Sequence, residues 1–258
     1  IESSGETTLR IQSTFKNENK IVSGQKLTVV GSTDQAALSN ESANAHMYSS
    51  QDIELKTEGG KTRLKVKNNT ADAKIESGND VIFVLGTILE NLGKILAQRQ
   101  IVIFQETFDN KGILSATHLS FPNLVTLVNT TTAQLLSLTN IAWAKLKSLR
   151  SSGVIQSKSN LSFVNLTLLD LAGKVISTDG AVLINYLKAW TNLAEIAGRT
   201  GVALTVSDLT NKGHLLSGGT LGISGTRILN NGEMNAHRIS LESKTGTIHN
   251  NKIIKAAT

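Results

Sequence analysis

Asn110-Lys111-Gly112-Ile113-Leu114-Ser115-Ala116-Thr117-His118-Leu119-Ser120-Phe121 opens on turn residues, gives an aliphatic, then a small residue two places later, then alternating aliphatics. The same figure returns along the 258-residue chain, in its later part about every 20 residues. Its first aliphatic falls at Ile21, Met47, Ile75, Ile95, Ile113, Leu135, Ile155, Val175, Ile196, Leu215, Met234 and Ile253. Two places on lie Ser23, Ser49, Ser77, Ala97, Ser115, Ser137, Ser157, Ser177, Gly198, Ser217 and Ala236, and only Lys255 departs. A second aliphatic follows at Leu27, Ile53, Val81, Ile101, Leu119, Ile141, Leu161, Val202, Leu221 and Ile239.

Such a register has a physical cause. Alternation over four or five residues turns one face of a strand inward and the other outward. Asn and Gly in Asn91-Leu92-Gly93, Asn110-Lys111-Gly112, Asn211-Lys212-Gly213 and Asn231-Gly232 are expected to supply positive-φ turns. No coil could bury its inner face alone, so each is stabilised by its neighbours. The expected fold is all-β: a parallel β-helix, a solenoid of about twelve coils about 4.8 Å apart, roughly 55 Å long, with Asn or Ser ladders at its corners.

Residues 1–74 are expected to form coils with longer loops or extra strands, at about residues 30–45 and 56–72, because the steps from Ile21 to Met47 and Ile75 are long. Residues 75–258 read as regular coils, irregular and leucine-rich at about 121–197. Leu183 to Ala197 and Leu135 to Leu149 also admit a helical reading, but both keep the repeat register, which favours strands.

Composition agrees. The chain is 40% hydrophobic, enough for a continuous core, yet has one proline, 4% aromatics and no cysteine. Without cysteine there are no disulfides, thiol catalysis or thiolate metal sites. No apolar run is long enough to span a membrane, and the start at Ile1 lacks both methionine and a signal-peptide pattern, which reads as an internal fragment. The net charge of +6 is spread along the chain without a nucleic-acid-binding motif, so nucleic acid is not expected as a partner.

The figure Asn-x-Gly-x-aliphatic-x-Ala/Ser followed by alternating aliphatics, clearest at Asn110 to Phe121, Asn211 to Ile223 and Asn230 to Leu241, resembles the filamentous-haemagglutinin repeats of two-partner secretion exoproteins. The resemblance covers most of the chain, from about Ile21 to Ile253. It implies a right-handed β-helix, export through an outer-membrane two-partner transporter, and a secreted location on a bacterial cell surface. Between Phe121 and Ala197 the sequence departs from a plain filament repeat: Ser152-Gly153 and Ala172-Gly173 lack the Asn-x-Gly turn, and Trp143, Tyr186 and Trp190 appear. In the contact-dependent growth inhibition effectors of CdiA type, a filament arm leads to a region that binds an outer-membrane protein of a neighbouring bacterium. The resemblance therefore implies a monomeric segment that binds such a receptor, or a host surface ligand, as part of toxin delivery. The alternative is a passive arm of a filamentous adhesin, and a carbohydrate-active β-helix enzyme is a third reading.

The residues give the third reading little support. Glycosidic-bond chemistry needs paired carboxylates or a metal cluster, and Asp80, Asp109, Asp170, Asp179 and Asp208 stand singly in the sequence. His46, His118, His214, His237 and His249 read as solvated positions scattered among the coils. No nucleophile elbow or phosphate-binding loop occurs. No catalytic residue, metal or cofactor is expected. Candidate receptor-binding residues are the alternating Lys61, Arg63, Lys65 and Lys67, which would form a basic stripe opposite Leu64 and Val66, and the aromatics Trp143, Tyr186 and Trp190. The stripe could equally be a charged outer face that prevents sideways strand pairing, and the aromatics could be core or corner packing.

Overall fold

The structure is a computed structural model that describes residues 1–59 and 63–257. Among the described residues there is no helix, and the chain forms a parallel β-solenoid of about 13 turns of roughly 20 residues. One coil thus precedes the first that the repeat marked. Glu2–Ser3 pairs with Lys20–Ser23 in the register Glu2↔Val22 and Ser3↔Ser23, so Ile1 and Ser3 hold the places of Ile21 and Ser23. The stretches that also admitted a helical reading are strands: Gln134–Ser137, Ile141–Trp143, Ser148–Ser151, Ala181–Tyr186, Trp190–Asn192 and Glu195–Gly198.

The coils fall into two compact units. The first comprises 1–127, 133–137 and 141–145. Each of its coils makes three strands on three faces. On the first face Ile21, Met47, Ile75, Ile95, Leu114 and Leu135 stack in register. On the second, Leu27, Ile53, Val81, Ile101, Leu119 and Ile141 do the same. The third is built from Thr14–Asn17, Ala37–Asn40, Leu64–Asn68, Thr87–Asn91 and Thr107–Asn110. Phe83, Phe108 and Phe121 fill the interior without solvent exposure. Among the described residues the early coils gain no extra strands. Added length lies in the corner loops, at 32–36 against 84–86 in a regular coil, and at 41–45 and 69–73 against 92–93.

The second unit comprises 128–132, 138–140 and 146 onward. Its first face stacks Ile155, Val175, Ile196, Leu215, Met234 and Ile254, and its second stacks Leu161, Val182, Val202, Leu221 and Ile239. His214–Gly225 and Glu233–Ser243 run unbroken over both faces, with a register shift between Ser217 and Thr220.

Two anchors shift by one residue. Ile113 is only half-buried, whereas Leu114 and Ala116 are buried and continue the stacks of Ile95 and Ala97. Likewise Ile254 and Ala256, not Ile253 and Lys255, lie beside Met234 and Ala236, so the one exception in the small-residue row disappears. Where two aliphatics are adjacent the pattern is ambiguous, and a slip of one residue exchanges the faces of a strand.

The small residue is required because it points inward at the corner between the first two faces. Ser23 donates to the Gly5 carbonyl at 2.8 Å, Ser137 to Thr117 at 2.9 Å, Ser157 to Thr139 at 2.7 Å and Ser177 to Ser159 at 2.8 Å. A buried hydroxyl is satisfied only by such a bond. The corner after the third face carries an asparagine ladder. Asn17, Asn40, Asn68, Asn91 and Asn110 link amide to amide at 2.9, 3.3, 3.0 and 3.1 Å. In the second unit Asn192, Asn211, Asn230 and Asn250 do so at 2.8 Å each, while Ser151 and Leu171 take the ladder position in the coils that lack Asn-x-Gly.

The glycines of these turns act differently from the expectation. Among the described residues positive φ occurs only at Gly59, Gly86 and Asn165. Gly112 is needed for contact instead, because a Cβ there would lie 2.1 Å from the Gly93 carbonyl oxygen of the adjoining coil. Gly232 meets Gly213 in the same way, at 2.2 Å. Close approach of stacked backbones, not turn conformation, fixes glycine at this corner.

Candidate functional site

The basic stripe has the alternation expected of it over its described part. Leu64 and Val66 are buried, Arg63 and Lys65 are exposed and Lys67 is half-buried; Lys61 lies outside the described residues. The stripe lies on the third face of the first unit, where Lys65 is in register with Ala37 and Ile88, and Lys67 with Ser39 and Glu90. Its charge is partly neutralised, since Lys67 Nζ lies 3.4 Å from Glu90 and, on the same face, Lys16 lies 3.1 Å from Glu41. The Lys16 hydrogen bond, helped by Ser39, holds the Glu41 carboxyl below its usual range. Arg63 and Lys65 have no ion pair among the described residues.

The aromatics divide. Tyr186 and Trp190 are 8% and 5% exposed, so both rings are packing groups of the second unit. Trp190 stands in register with buried Leu209, and its Nε1 is buried without a hydrogen-bond partner among the described residues. Trp143 is half-buried and in register with Phe121 in the first unit. The structure thus brings the basic side chains to a surface and the two late aromatics to the interior.

Register also assembles groups that are distant in sequence. Asp52 and Asp80 lie one strand apart, and the Asp80 amide donates to Asp52 Oδ1 at 3.3 Å, so Asp80 is not isolated as it is in the sequence. Arg99 grips Asp80 with two bonds of 2.8 and 2.5 Å, which raises the guanidinium pKa. Asp80 is buried and its oxygens are committed to Arg99, which makes the pair a corner staple. Glu54 is similar: partial burial pushes its carboxyl up, but hydrogen bonds from Lys26 at 2.7 Å and Lys56 at 3.2 Å outweigh that and lower it. Among the described residues no group of three or more His, Asp and Glu is placed to hold a metal.

A second row of lysines, interrupted by one histidine, escaped the sequence reading. On the outer first face of the first unit, Lys20, His46, Lys74 and Lys94 occupy one register position on four successive strands. The signal was available: each immediately precedes an anchor, Ile21, Met47, Ile75 or Ile95. His46 and His214 also share this coil position, contrary to the scattered reading, and each meets a glutamate at 3.1 Å, Glu76 and Glu233 respectively. Asp72 occupies Lys94 at 3.0 Å. Lys20 and Lys74 have no ion pair among the described residues. Beside them opens a shallow cleft of about 270 Å³, lined among others by Asn19, Lys20, Asn44, His46, Asp72 and Lys74. Tyr48 continues the same outer face, its ring centroid 6.0 Å from that of His46.

The chain matches no protein-family model, no curated protein and no solved structure. Function therefore has to be argued from the surfaces themselves.

Proposed function

We propose that this chain is a non-catalytic β-helical segment of a secreted, two-partner exoprotein of the filamentous-haemagglutinin kind, and that it contacts an outer-membrane protein on another cell. One observation carries the reading. The inner stacks and corner ladders repeat from coil to coil in the first unit, yet two neighbouring coils carry enlarged corners at 32–36, 41–45 and 69–73, and between them Lys65, on the strand Leu64–Asn68, and Arg63, just before it, have no ion pair among the described residues. A spacer needs no such additions, whereas a recognition surface grafted on a rigid scaffold consists of them. Outward cations of this kind steer encounter with an acidic partner more than they stabilise the fold.

The passive-arm alternative draws support from the burial of Tyr186 and Trp190, which removes two aromatic anchors from the surface. Binding of the labelled chain to intact Gram-negative cells separates the two readings. The receptor reading expects saturable binding, lost when the cells are shaved with protease and weakened severalfold in an Arg63→Gln/Lys65→Gln variant that melts like the parent. Absence of saturable binding to any cell tested favours the passive arm.

A further inference from the structure

The charge of the chain is divided unequally between its units. The first carries fourteen Lys and Arg against fourteen Asp and Glu, whereas the second carries twelve against six, so the whole net charge of +6 resides in the second. The second face of that unit is built from Leu161–Val164, Ala181–Tyr186, Gly201–Val206 and the later halves of His214–Gly225 and Glu233–Ser243. One outward row across these strands reads Ser162, Leu183, Ala203, Gly222 and Ser240. The next reads Val164, Asn185, Thr205, Ser224 and, at its far end, Glu242. The corresponding face of the first unit is charged, with Arg10, Glu54 and Lys56 on it. Here instead Val164, Leu183 and Leu187, the last just beyond its strand, are 41, 40 and 73% exposed. Cations stand at both edges. At the corner that follows the face, the Thr167 amide donates to the Lys147 carbonyl at 2.7 Å and Lys188 Nζ to the Thr167 carbonyl at 2.8 Å, which sets Lys147 and Lys188 along one edge. At the corner that precedes it, Arg199 is exposed just before Gly201, and exposed Arg238 is in register with Thr220. None of these four cations has an ion pair among the described residues. Of the six acids of the unit, Asp179, Glu195, Glu233 and Asp208 are each ion-paired, and Asp170 lies beside Arg150 on another face, which leaves Glu242.

We infer that this face of the second unit docks on an anionic lipid bilayer. Exposed Val and Leu side chains enter the boundary between headgroups and acyl chains, while the ammonium and guanidinium groups at the two edges meet headgroup phosphates. The long stems of Lys and Arg carry those charges past the plane of the sheet. Ala203 and Gly222 keep the centre of the face flat, which suits a plane better than a protein partner that needs a pocket for an anchor side chain. A second copy of the chain also fits less well. Five strands at about 4.8 Å and about six residues at about 3.3 Å make a patch of about 500 Å², or about 1,000 Å² for a pair, under the roughly 1,200–2,000 Å² of stable interfaces. Because both edges are cationic, any face-to-face pairing of copies would oppose like charges, whereas an anionic surface complements them. The site uses residues of the second unit alone and the receptor reading uses Arg63 and Lys65 of the first, so each can fail without the other.

The test uses the full chain and protein-free vesicles. Co-sedimentation is measured with vesicles of phosphatidylcholine containing about one third phosphatidylglycerol and with vesicles of phosphatidylcholine alone. The expected result is binding to the anionic vesicles, at least tenfold weaker binding to the neutral ones, and loss of binding as salt rises. Each cation near the surface contributes about fivefold, so Lys188→Gln/Arg199→Gln should weaken binding at least tenfold. Leu183→Ser/Leu187→Ser should weaken it at least threefold, and Leu187→Ser alone, at the most exposed position, should act in the same direction. Arg63→Gln/Lys65→Gln should leave it unchanged, and thermal melting should confirm that the variants are folded. The inference is overturned if the chain does not prefer anionic vesicles, if glycerol phosphate in solution displaces it from them, or if Arg63→Gln/Lys65→Gln matters as much as Lys188→Gln/Arg199→Gln. Leucine variants that bind like the parent would leave charge alone and overturn docking by this face. A chain that is dimeric in analytical ultracentrifugation without lipid, and monomeric as Leu183→Ser/Leu187→Ser, would show that a second copy covers the face and would overturn it as well.

Discussion

Leu114 and Ile113 are neighbours of similar size, and exchanging each for aspartate tests the register on which the rest of the structure depends. Leu114 is fully buried between Ile95 and Leu135, whereas Ile113 is half-buried between Lys94 and Gln134 on the outer side. Leu114→Asp forfeits the burial of a leucine, about 1.5–3 kcal/mol. It also places a carboxylate in an apolar stack, at a further cost of several kcal/mol. The total, about 5 kcal/mol or more, is comparable to the whole stability of many domains. Because each coil is held by its neighbours, the coils around 94–97 and 134–137 should open with it. Ile113→Asp loses only partial burial and gains an exposed pairing with Lys94 of about 0–1 kcal/mol. Urea unfolding followed by far-UV circular dichroism should therefore separate the variants by about 4 kcal/mol. Limited proteolysis should cut only Leu114→Asp within these coils. Equal destabilisation, or a larger effect at Ile113, would falsify the register.

Three further outcomes follow from the same geometry. Gly112→Ala should cost about 1–3 kcal/mol, since its Cβ would overlap the Gly93 carbonyl, whereas Gly222→Ala, with nothing within 4 Å, should stay within about 0.5 kcal/mol in thermal melts. Asn211 accepts from Asn192 and donates to Asn230 and to the Glu233 carbonyl. Its replacement by alanine should cost about 1–3 kcal/mol, and by aspartate more, because a charged acceptor would then face acceptor oxygens. Glu54 has a folded pKa below its ordinary 4.5, so its contribution is present above that value and is lost as pH falls through the lower, folded one. Lys26→Gln removes a hydrogen bond that causes the shift, and acid titration of stability should then be shallower below pH 4.5 than in the parent.

The parallel β-solenoid was legible because its physics acts at short range and repeats. An inward aliphatic, a small corner residue and an alternating strand recur in every coil, and each is visible in a dozen residues of sequence. Ambiguity entered where that local figure was degenerate. Ile113-Leu114 and Ile253-Ile254 each offer two aliphatics for one inward place, and only pairing with the adjoining coil selects between them. Long early steps likewise had two local explanations, loops or strands, and among the described residues the stacking of all three faces decides for loops. The role of the glycines was hidden for the same reason: the atom that excludes a Cβ at Gly112 belongs to Gly93, a whole coil away.

The candidate surfaces were harder to read because they run across the coils. A row such as Lys20, His46, Lys74 and Lys94 has members separated by a full coil each, and loops of unequal length destroy any fixed spacing between the first three. The stripe was visible because Lys65 and Lys67 lie along one strand, Leu64–Asn68, where alternate residues share a face. Inward and corner positions are constrained by stacking and by hydrogen bonds, and substitution there disturbs two neighbours at once. Outward positions carry no such constraint, so charge and aromatic content can change there without altering the coil. In a solenoid of this kind register, more than any local motif, determines which side chains meet on an outer face. On that reasoning the Lys20–Lys74 row should tolerate exchange of its members for other polar residues with no loss of fold.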